Sequence, residues 1–287
     1  MRLIVCGASG YIGARLMHRA GAACPVVGTS SRDVAGAWQL DLARPGRFDA
    51  GRIDRTDVFV LAAAISSPDV CERETDRAWA LNVTGTTQVI EQVLGRGARV
   101  LFLSSDTVYG EQPEAFDERM PCNPAGPYAA MKREVERRFA GDGRFCTLRL
   151  SYVFSAQDRF TRYLRDCATR GLPAEVFDPF VRAVVHREDV VDAVLTLAHS
   201  QPEPFERVLN VGGPQALSRA AYAATLRDLA WPALRFEIVA PQPQFFRNRP
   251  QHIAMQSPRL AALLGRPPLS LAAAAASEPL QSEATEP

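Results

Sequence analysis

The chain has 287 residues, 47% hydrophobic and 23% charged, with a net charge of +1, a globular composition with room for one large domain or two small ones. Near neutrality gives no electrostatic case for nucleic acid or an anionic membrane as partner, and no apolar run reaches the ~18 residues of a membrane span. The opening Met1-Arg2-Leu3-Ile4-Val5 turns glycine-rich too early for a signal peptide. Six cysteines (Cys6, Cys24, Cys71, Cys122, Cys146, Cys167) are scattered without CxxC or metal-ligand spacing. Reduced, mostly buried thiols in a cytoplasmic protein are therefore expected, with no metal.

Arg2 to Cys6 is an apolar run short enough for a buried parallel strand. It leads into Gly7-Ala8-Ser9-Gly10-Tyr11-Ile12-Gly13 and a helical stretch from Ala14 to Ala20. The spacing is GxxGxxG, a variant of GxGxxG. Such glycines allow a tight turn and close backbone approach, so the N–H groups of a helix start can hold a pyrophosphate. An ordinary tight turn would look the same in isolation; a place between the first strand and first helix favours dinucleotide binding. The candidate contacts are Gly7, Ser9, Gly10, Tyr11, Ile12 and Gly13.

The second strand, Pro25 to Thr29, continues as Ser30-Ser31-Arg32. NAD sites usually carry Asp or Glu here for the ribose 2′-OH, whereas Ser31 and Arg32 suit a 2′-phosphate. NADP(H) is favoured over NAD(H), with Asp33 one residue later keeping NAD open. Asp41 and Leu42 read as the loop that passes the adenine. Asp57 to Ala64 is the next buried strand, and Ala62, Ala63 and Ala64 are small enough for a cofactor to pass, or simply for tight packing. A long helix is predicted from about Glu72 to Leu94. Asn82 and Gly85 are poor residues for its interior, which points Asn82 to a backbone or water contact under the active site and makes it a candidate on the cofactor side.

Val100 to Leu103 then breaks into Ser104-Ser105-Asp106-Thr107 and Val108-Tyr109-Gly110, and a Pro-rich loop leads to Tyr128 and Lys132. Residues four apart on a helix share one face. An ammonium beside a phenol favours the phenolate and lowers the tyrosine pKa from its usual value near ~10. With a serine from the neighbouring strand end, this is an acid/base device for a ketone or an alcohol. It needs a partner that moves hydride.

Together these residues resemble the extended short-chain dehydrogenase/reductases, the nucleotide-sugar-modifying branch of that superfamily. The matching segments are Gly7/Gly10/Gly13, Asn82 to Thr86, Ser104 to Gly110, Tyr128-x-x-x-Lys132, Arg149 to Phe154, Val185 to Val190, and Asn210 to Gly213. The resemblance runs from residue 1 to about 265. It implies an α/β fold, a doubly wound parallel Rossmann sheet with a small C-terminal α/β substrate lobe. The Rossmann part is expected at 1–150 plus about 181–212, and the lobe at about 151–180 and 213–270. Residues 271–287, rich in Ala, Glu, Ser and Pro, are expected to be a flexible tail.

The resemblance also implies roles. Tyr128 would be the acid/base, Lys132 would lower its pKa and hold the nicotinamide ribose, and Ser105 would hydrogen-bond the substrate oxygen. Ser104 would be a strand-end residue near the nicotinamide. Position 107 separates reactions: similar 4,6-dehydratases carry Asp-Glu where this chain has Asp106-Thr107, and epimerase/reductases of the fucose-synthase kind carry a cysteine there. A threonine hydroxyl is no useful base at pH 7. Ser105-Asp106, Ala62 to Ala64 through Cys71-Glu72, and Arg249-Pro250 look like dTDP-4-dehydrorhamnose reductase relatives.

The implied activity is NADP(H)-dependent reduction of a keto-sugar on a nucleotide diphosphate. The alternatives are a 4-epimerase with tightly bound NAD and a non-catalytic cofactor-binding subunit. The joint presence of Ser105, Tyr128 and Lys132 argues against the second. Asp106, Thr107, Phe154, Arg182 and Arg249 are the substrate candidates, with Arg247, Phe160, Phe245 and Phe246 behind them. Arginine forks match phosphate oxygens and rings stack on a base or sugar, although surface or core roles fit each one too. His186 is expected to be structural. In relatives the helices near 72–94 and 127–141 pair, which implies a homodimer.

Overall fold

The computed structural model of the chain describes residues 1–200 and 207–280. The first strands are β1 (Leu3–Cys6), β2 (Val26–Ser30), β3 (Trp38–Gln39), β4 (Val58–Leu61), β5 (Arg99–Ser105), β6 (Gln112–Phe116) and β7 (Phe145–Leu150). Beyond them come β8 (Val153–Phe154), β9 (Ala174–Phe177), β10 (Val181–Ala183), β11 (Val185–His186), β12 (Val208–Val211), β13 (Ala216–Ser218), β14 (Phe236–Val239) and β15 (His252–Met255). The helices are α1 (Tyr11–Gly21), α2 (Pro68–Arg73), α3 (Thr75–Trp79), α4 (Thr86–Gly95) and α5 (Gly126–Phe139). They continue as α6 (Arg159–Arg170), α7 (Arg187–His199), α8 (Arg219–Leu229), α9 (Pro258–Leu264) and α10 (Leu271–Ser277).

Seven strands form one parallel sheet in the order β12-β7-β5-β4-β1-β2-β3. Strand residues alternate between faces. Leu3, Val5, Leu101 and Leu103 pack with Leu16, Val190, Val194 and Leu260 on one side. Ile4, Phe59, Val100 and Phe102 pack with Ile90, Val93, Val135 and Phe139 on the other. Helices on both faces explain why β1 and β4 are buried at every position. Chain order reverses at β1, since β2 and β3 lie to one side and β4, β5 and β7 to the other. A crevice opens at such a switch point, outside the carboxyl ends of the strands. This is the doubly wound Rossmann sheet expected.

The lobe is built from a four-stranded sheet, β13-β10-β15-β6, and two strand pairs, β11-β8 and β14-β9. Its core holds Phe154, Leu164, Val176, Tyr222, Leu226 and Trp231. The expected boundaries need three corrections. β6, inside 1–150, crosses into the lobe sheet, and β10 keeps 181–183 there, while Val185 of β11 already packs in the core of the seven-stranded sheet. Residues 271–280 are no tail: α10 buries Leu271, Ala274 and Ala275 against the lobe core, and Leu280 follows. Alanine is the strongest helix former, and apolar residues at i, i+3 and i+4 give this run a packing face. The tail expected over 281–287 lies outside the described residues.

The helix expected over 72–94 is also broken. Glu74 leaves helical geometry (φ −122°, ψ 48°) between α2 and α3, and a π-helical turn, Ala80–Gly85, joins α3 to α4. All six cysteines are free. Among the described residues no helix is long and apolar enough to cross a membrane.

Candidate active site

The crevice begins at the loop between β1 and α1. Gly7 has φ +93°, and a Cβ there would sit 2.7 Å from Ala63 N. A Cβ on Gly13 would lie 2.0 Å from Gly7 O, and Gly10 N donates to that oxygen at 3.0 Å. Gly10 leads into α1 without a side-chain cap, and the first turn has no acidic residue. The positive end of the helix is thus left for an external anion. A cradle that any side chain would fill, at an uncapped helix start, fits a dinucleotide pyrophosphate.

Gly85 brings the next wall in: a Cβ there would be 1.8 Å from Leu42 O, so the Asp41-Leu42 loop rests on the π turn. Ser9 is exposed, Ile12 and Ala62 to Ala64 are partly exposed, and Ser31, Arg32 and Asp33 are exposed beyond β2. Arg32 N donates to Ser30 Oγ at 3.1 Å. Tyr11 Oη donates to Ser155 Oγ at 2.7 Å, joining the glycine loop to the segment after β8, with the Arg187 guanidinium 5.1 Å from the ring centre. Asn82 makes the backbone contact expected of it: its amide accepts from Ile65 N and donates to Ile65 O, both at 2.9 Å. With both ends of the amide occupied, Asn82 shapes the wall after β4 rather than presenting a group to a cofactor.

At the end of β5, Ser105 Oγ accepts from Thr107 N at 3.3 Å and from Thr107 Oγ1 at 3.0 Å, and donates to Asp106 Oδ1 at 3.3 Å. Asp106 is buried, accepts from Ser151 Oγ at 2.8 Å, and has Arg182 Nε 3.6 Å away. Burial pushes its carboxyl above the usual range, outweighing Arg182 and the serine donors. Opposite lies α5, with Pro127 in its first turn, where a missing N–H costs nothing.

Tyr128 and Lys132 face the end of β5 from α5. Lys132 is 5% exposed; its Nζ donates to Leu103 O at 2.7 Å and lies 5.9 Å from the centre of the Tyr128 ring. Burial pulls its pKa down to about 8, against the opposing influence of Glu136 and Cys71. The expected lowering of the Tyr128 pKa is corrected. Burial raises the Tyr128 pKa above its ordinary value, and Asp106 and Cys71 raise it further. The ammonium is directed at a backbone carbonyl, and desolvation of the phenolate outweighs it.

Ser104 also departs from expectation. Its hydroxyl donates to Glu136 Oε1 within a buried network, in which Arg149 grips Glu136 at 2.8 and 3.2 Å and Tyr109 Oη at 2.7 Å. Tyr109 donates in turn to Asn210 Oδ1 at 2.7 Å. Ser104 is buried and therefore fastens α5 to the sheet.

On the lobe side is a cavity of about 610 Å³, walled by Tyr152, Phe160, Phe177, Phe180 and Phe245 together with Arg219 and Arg249. Arg249 is where a substrate candidate should be, although its guanidinium already grips Asp69 at 2.6 and 2.7 Å. Arg182 is not in this wall. It is 7% exposed, donates to Val181 O and Pro250 O at 2.6 Å each, and faces Asp106. Phe154 is fully buried, 5.9 Å from the Tyr222 ring and 5.7 Å from His186, so it is core. Arg247 points outward, 3.6 Å from Glu72. Buried His186 holds Glu278 Oε1 at 2.7 Å, in keeping with a structural role. Sequence reasoning gave no substrate role to Tyr152, Phe177, Phe180 and Arg219, which come from separate segments, only Tyr152 lying within a matched one, Arg149 to Phe154. The two phenylalanines flanking Asp178-Pro179 were the one local signal.

Residues 3–212 match the NAD dependent epimerase/dehydratase family. The dTDP-4-dehydrorhamnose reductase of Sinorhizobium fredii is 27% identical over 231 residues, 78% of this chain and 76% of that protein. The dTDP-glucose 4,6-dehydratase of Mycolicibacterium smegmatis is 28% identical over 155 residues, 47% of each, so the chain spans about half of its length. Among solved structures, UDP-glucose 4-epimerase of Thermus thermophilus in complex with NAD aligns with a TM-score of 0.80 at 20% identity. That alignment covers 96% of this chain and 98% of the other, a likeness of fold. With its Gly-rich loop and its Tyr128/Lys132 pair on the sheet they require, the chain belongs to the NAD dependent epimerase/dehydratase family.

Proposed function

We propose that this protein is an NADP(H)-dependent reductase of a keto-sugar carried on a nucleotide diphosphate, of the 4-keto-6-deoxy class. The observation that carries the reading is the placement of Tyr128 on α5 with Lys132 Nζ 5.9 Å from its ring centre and buried Asp106 nearby, where burial raises the pKa of the phenol. Carbonyl reduction needs a proton delivered to oxygen, and a phenol kept neutral is a donor for it. An epimerase would use the same tyrosine as base and then as acid, so the choice of reduction rests on the residues below.

The bound nicotinamide supplies hydride. Tyr128 Oη gives its proton to the carbonyl oxygen, and Ser105 Oγ turns from Asp106 to hydrogen-bond the same oxygen. Lys132, anchored on Leu103 O, keeps a positive charge beside the phenolate that remains. Thr107, with neither a carboxylate nor a thiol, supports reduction over elimination or epimerisation next to the carbonyl. The named reductase of S. fredii supports the same choice. Ser31 and Arg32 support NADP(H), since a guanidinium fork matches a 2′-phosphate.

Cofactor identity tests the reading. Protein purified empty that binds NADPH more tightly than NADH is expected, whereas stoichiometric NAD released on denaturation would replace the reductase with a 4-epimerase. The homodimer would pair α4 and α5; a monomer in size-exclusion chromatography with light scattering would remove it.

A further inference from the structure

α10 packs in the lobe core through Leu271, Ala274 and Ala275, and Glu278 caps its C-terminal end. One Glu278 oxygen accepts from Ala156 N and the other from His186 Nε2, the latter at 2.7 Å. His186 and Ala156 are buried, and the Glu278 side chain is 13% exposed. β11 and β8 run parallel with His186 beside Phe154, two residues before Ala156. Glu278 therefore ties the end of α10 to the turn between β8 and α6. That turn in its own right holds the glycine-rich loop. Ser155 is fully buried and accepts from Tyr11 Oη at 2.7 Å and from Gln157 N at 3.1 Å. Its N donates to Asp158 Oδ2 at 3.3 Å, and Asp158 caps α6. Tyr11 is the first residue of α1, whose start has no side-chain cap. The contacts run unbroken from Glu278 through Ala156 and Ser155 to the helix start that can cradle an anion. Bonds to a carboxylate are stronger than neutral ones, and without Glu278 a buried backbone N–H and a buried imidazole lose their acceptor.

We infer that Glu278 is a positioning residue for the dinucleotide site, fixing through Ala156 and Ser155 the place of Tyr11 and so the angle at which the first turn of α1 meets the pyrophosphate. The matched family segment ends at residue 212, so sequence outside it supplies this support. The role depends on the glycine-rich cradle being the dinucleotide site and is independent of which carbonyl is reduced.

Fluorescence titration of the full-length protein with NADPH and NADH tests this. For the dinucleotide that wild type binds more tightly, Glu278→Ala should weaken binding about threefold to tenfold, the worth of one hydrogen bond. Glu278→Gln, whose amide oxygen can still accept from Ala156 N, should recover part of that loss. Tyr11→Phe should weaken binding to a similar degree. The double variant of Tyr11→Phe with Glu278→Ala should bind no more weakly than the weaker single one, because both cut the same chain of contacts. Leu271→Ala separates stability from position: it should melt lower yet bind within about twofold of wild type. Should Glu278→Ala not fold, Glu278→Gln carries the same cycle, with a single loss of about twofold or more. Wild-type affinity in the Glu278 variant, losses that multiply in the double variant, or an equal loss in Leu271→Ala would each overturn the role while leaving dinucleotide binding intact. A wild type that binds neither dinucleotide would remove the cradle as a cofactor site, and the role of Glu278 with it.

Discussion

Tyr128 and Lys132 are a case of competing effects on one helix face. Spacing alone suggests that the ammonium draws the phenol down, but Lys132 Nζ points to Leu103 O, and burial beside Asp106 prevails. Replacing Tyr128 by Phe should cut turnover by about 10²–10⁴, the usual contribution of a positioned acid, while cofactor binding measured by fluorescence stays within a few-fold. A Tyr128→Phe enzyme at wild-type rate would move the proton donor elsewhere. Lys132 gives a pH test. Its pKa is lowered to about 8, so the ammonium is present below that pH and lost above it. Turnover at saturating NADPH should therefore hold a plateau below about pH 8 and fall above it. A flat profile to pH 9.5 would show that the charge is not needed. The identities of the pair were legible in the sequence because four-residue spacing fixes a shared face. Their protonation was not, because it depends on Leu103, Asp106 and Cys71, which arrive from other elements.

At the level of elements, α5 is held by charge as well as by packing. Glu136 and Arg149 are 3% and 4% exposed as side chains, and their pairing joins α5 to β7. Breaking a buried pair leaves an uncompensated charge, so Arg149→Met should cost about 3–5 kcal/mol of stability, read from chemical denaturation. A loss under 1 kcal/mol would mean that the network is dispensable. Ser104 shows why such contacts escape a sequence reading: its hydroxyl is taken up by Glu136 on α5, while that of Ser105, one residue on, bonds Asp106 and Thr107 at the strand end. Strand alternation gives the two serines opposite faces, but both faces are covered by helices, and only Glu136, thirty-two residues away, shows which serine is tied into the packing. The break in the expected 72–94 helix has a similar origin. Asn82 and Gly85 were recognised as misfits there, and the partners that explain them, Ile65 and Leu42 O, lie outside the helix.

Across the whole molecule, the Rossmann order and the crevice were legible because short apolar strands, a Gly-rich first turn and helical periods repeat locally. The lobe was less so: its cavity collects rings from β9, β10's approach, α6 and the segment near 245, and none of these is a motif. The C-terminal stretch was misjudged by composition, since an alanine-rich run reads as loose until Leu271 and Leu280 are seen in the lobe core. Leu271→Ala should destabilise the protein by about 2–5 kcal/mol, and a melting temperature equal to wild type would show that α10 adds nothing to the fold. The reaction itself is best tested by isotope transfer, with NADPH deuterated at nicotinamide C4 and a nucleotide 4-keto-6-deoxy sugar. We expect one NADPH consumed per product, with deuterium on the newly formed carbinol carbon. Interconversion of a nucleotide sugar and its 4-epimer without net cofactor consumption or deuterium in the product would contradict the reductase.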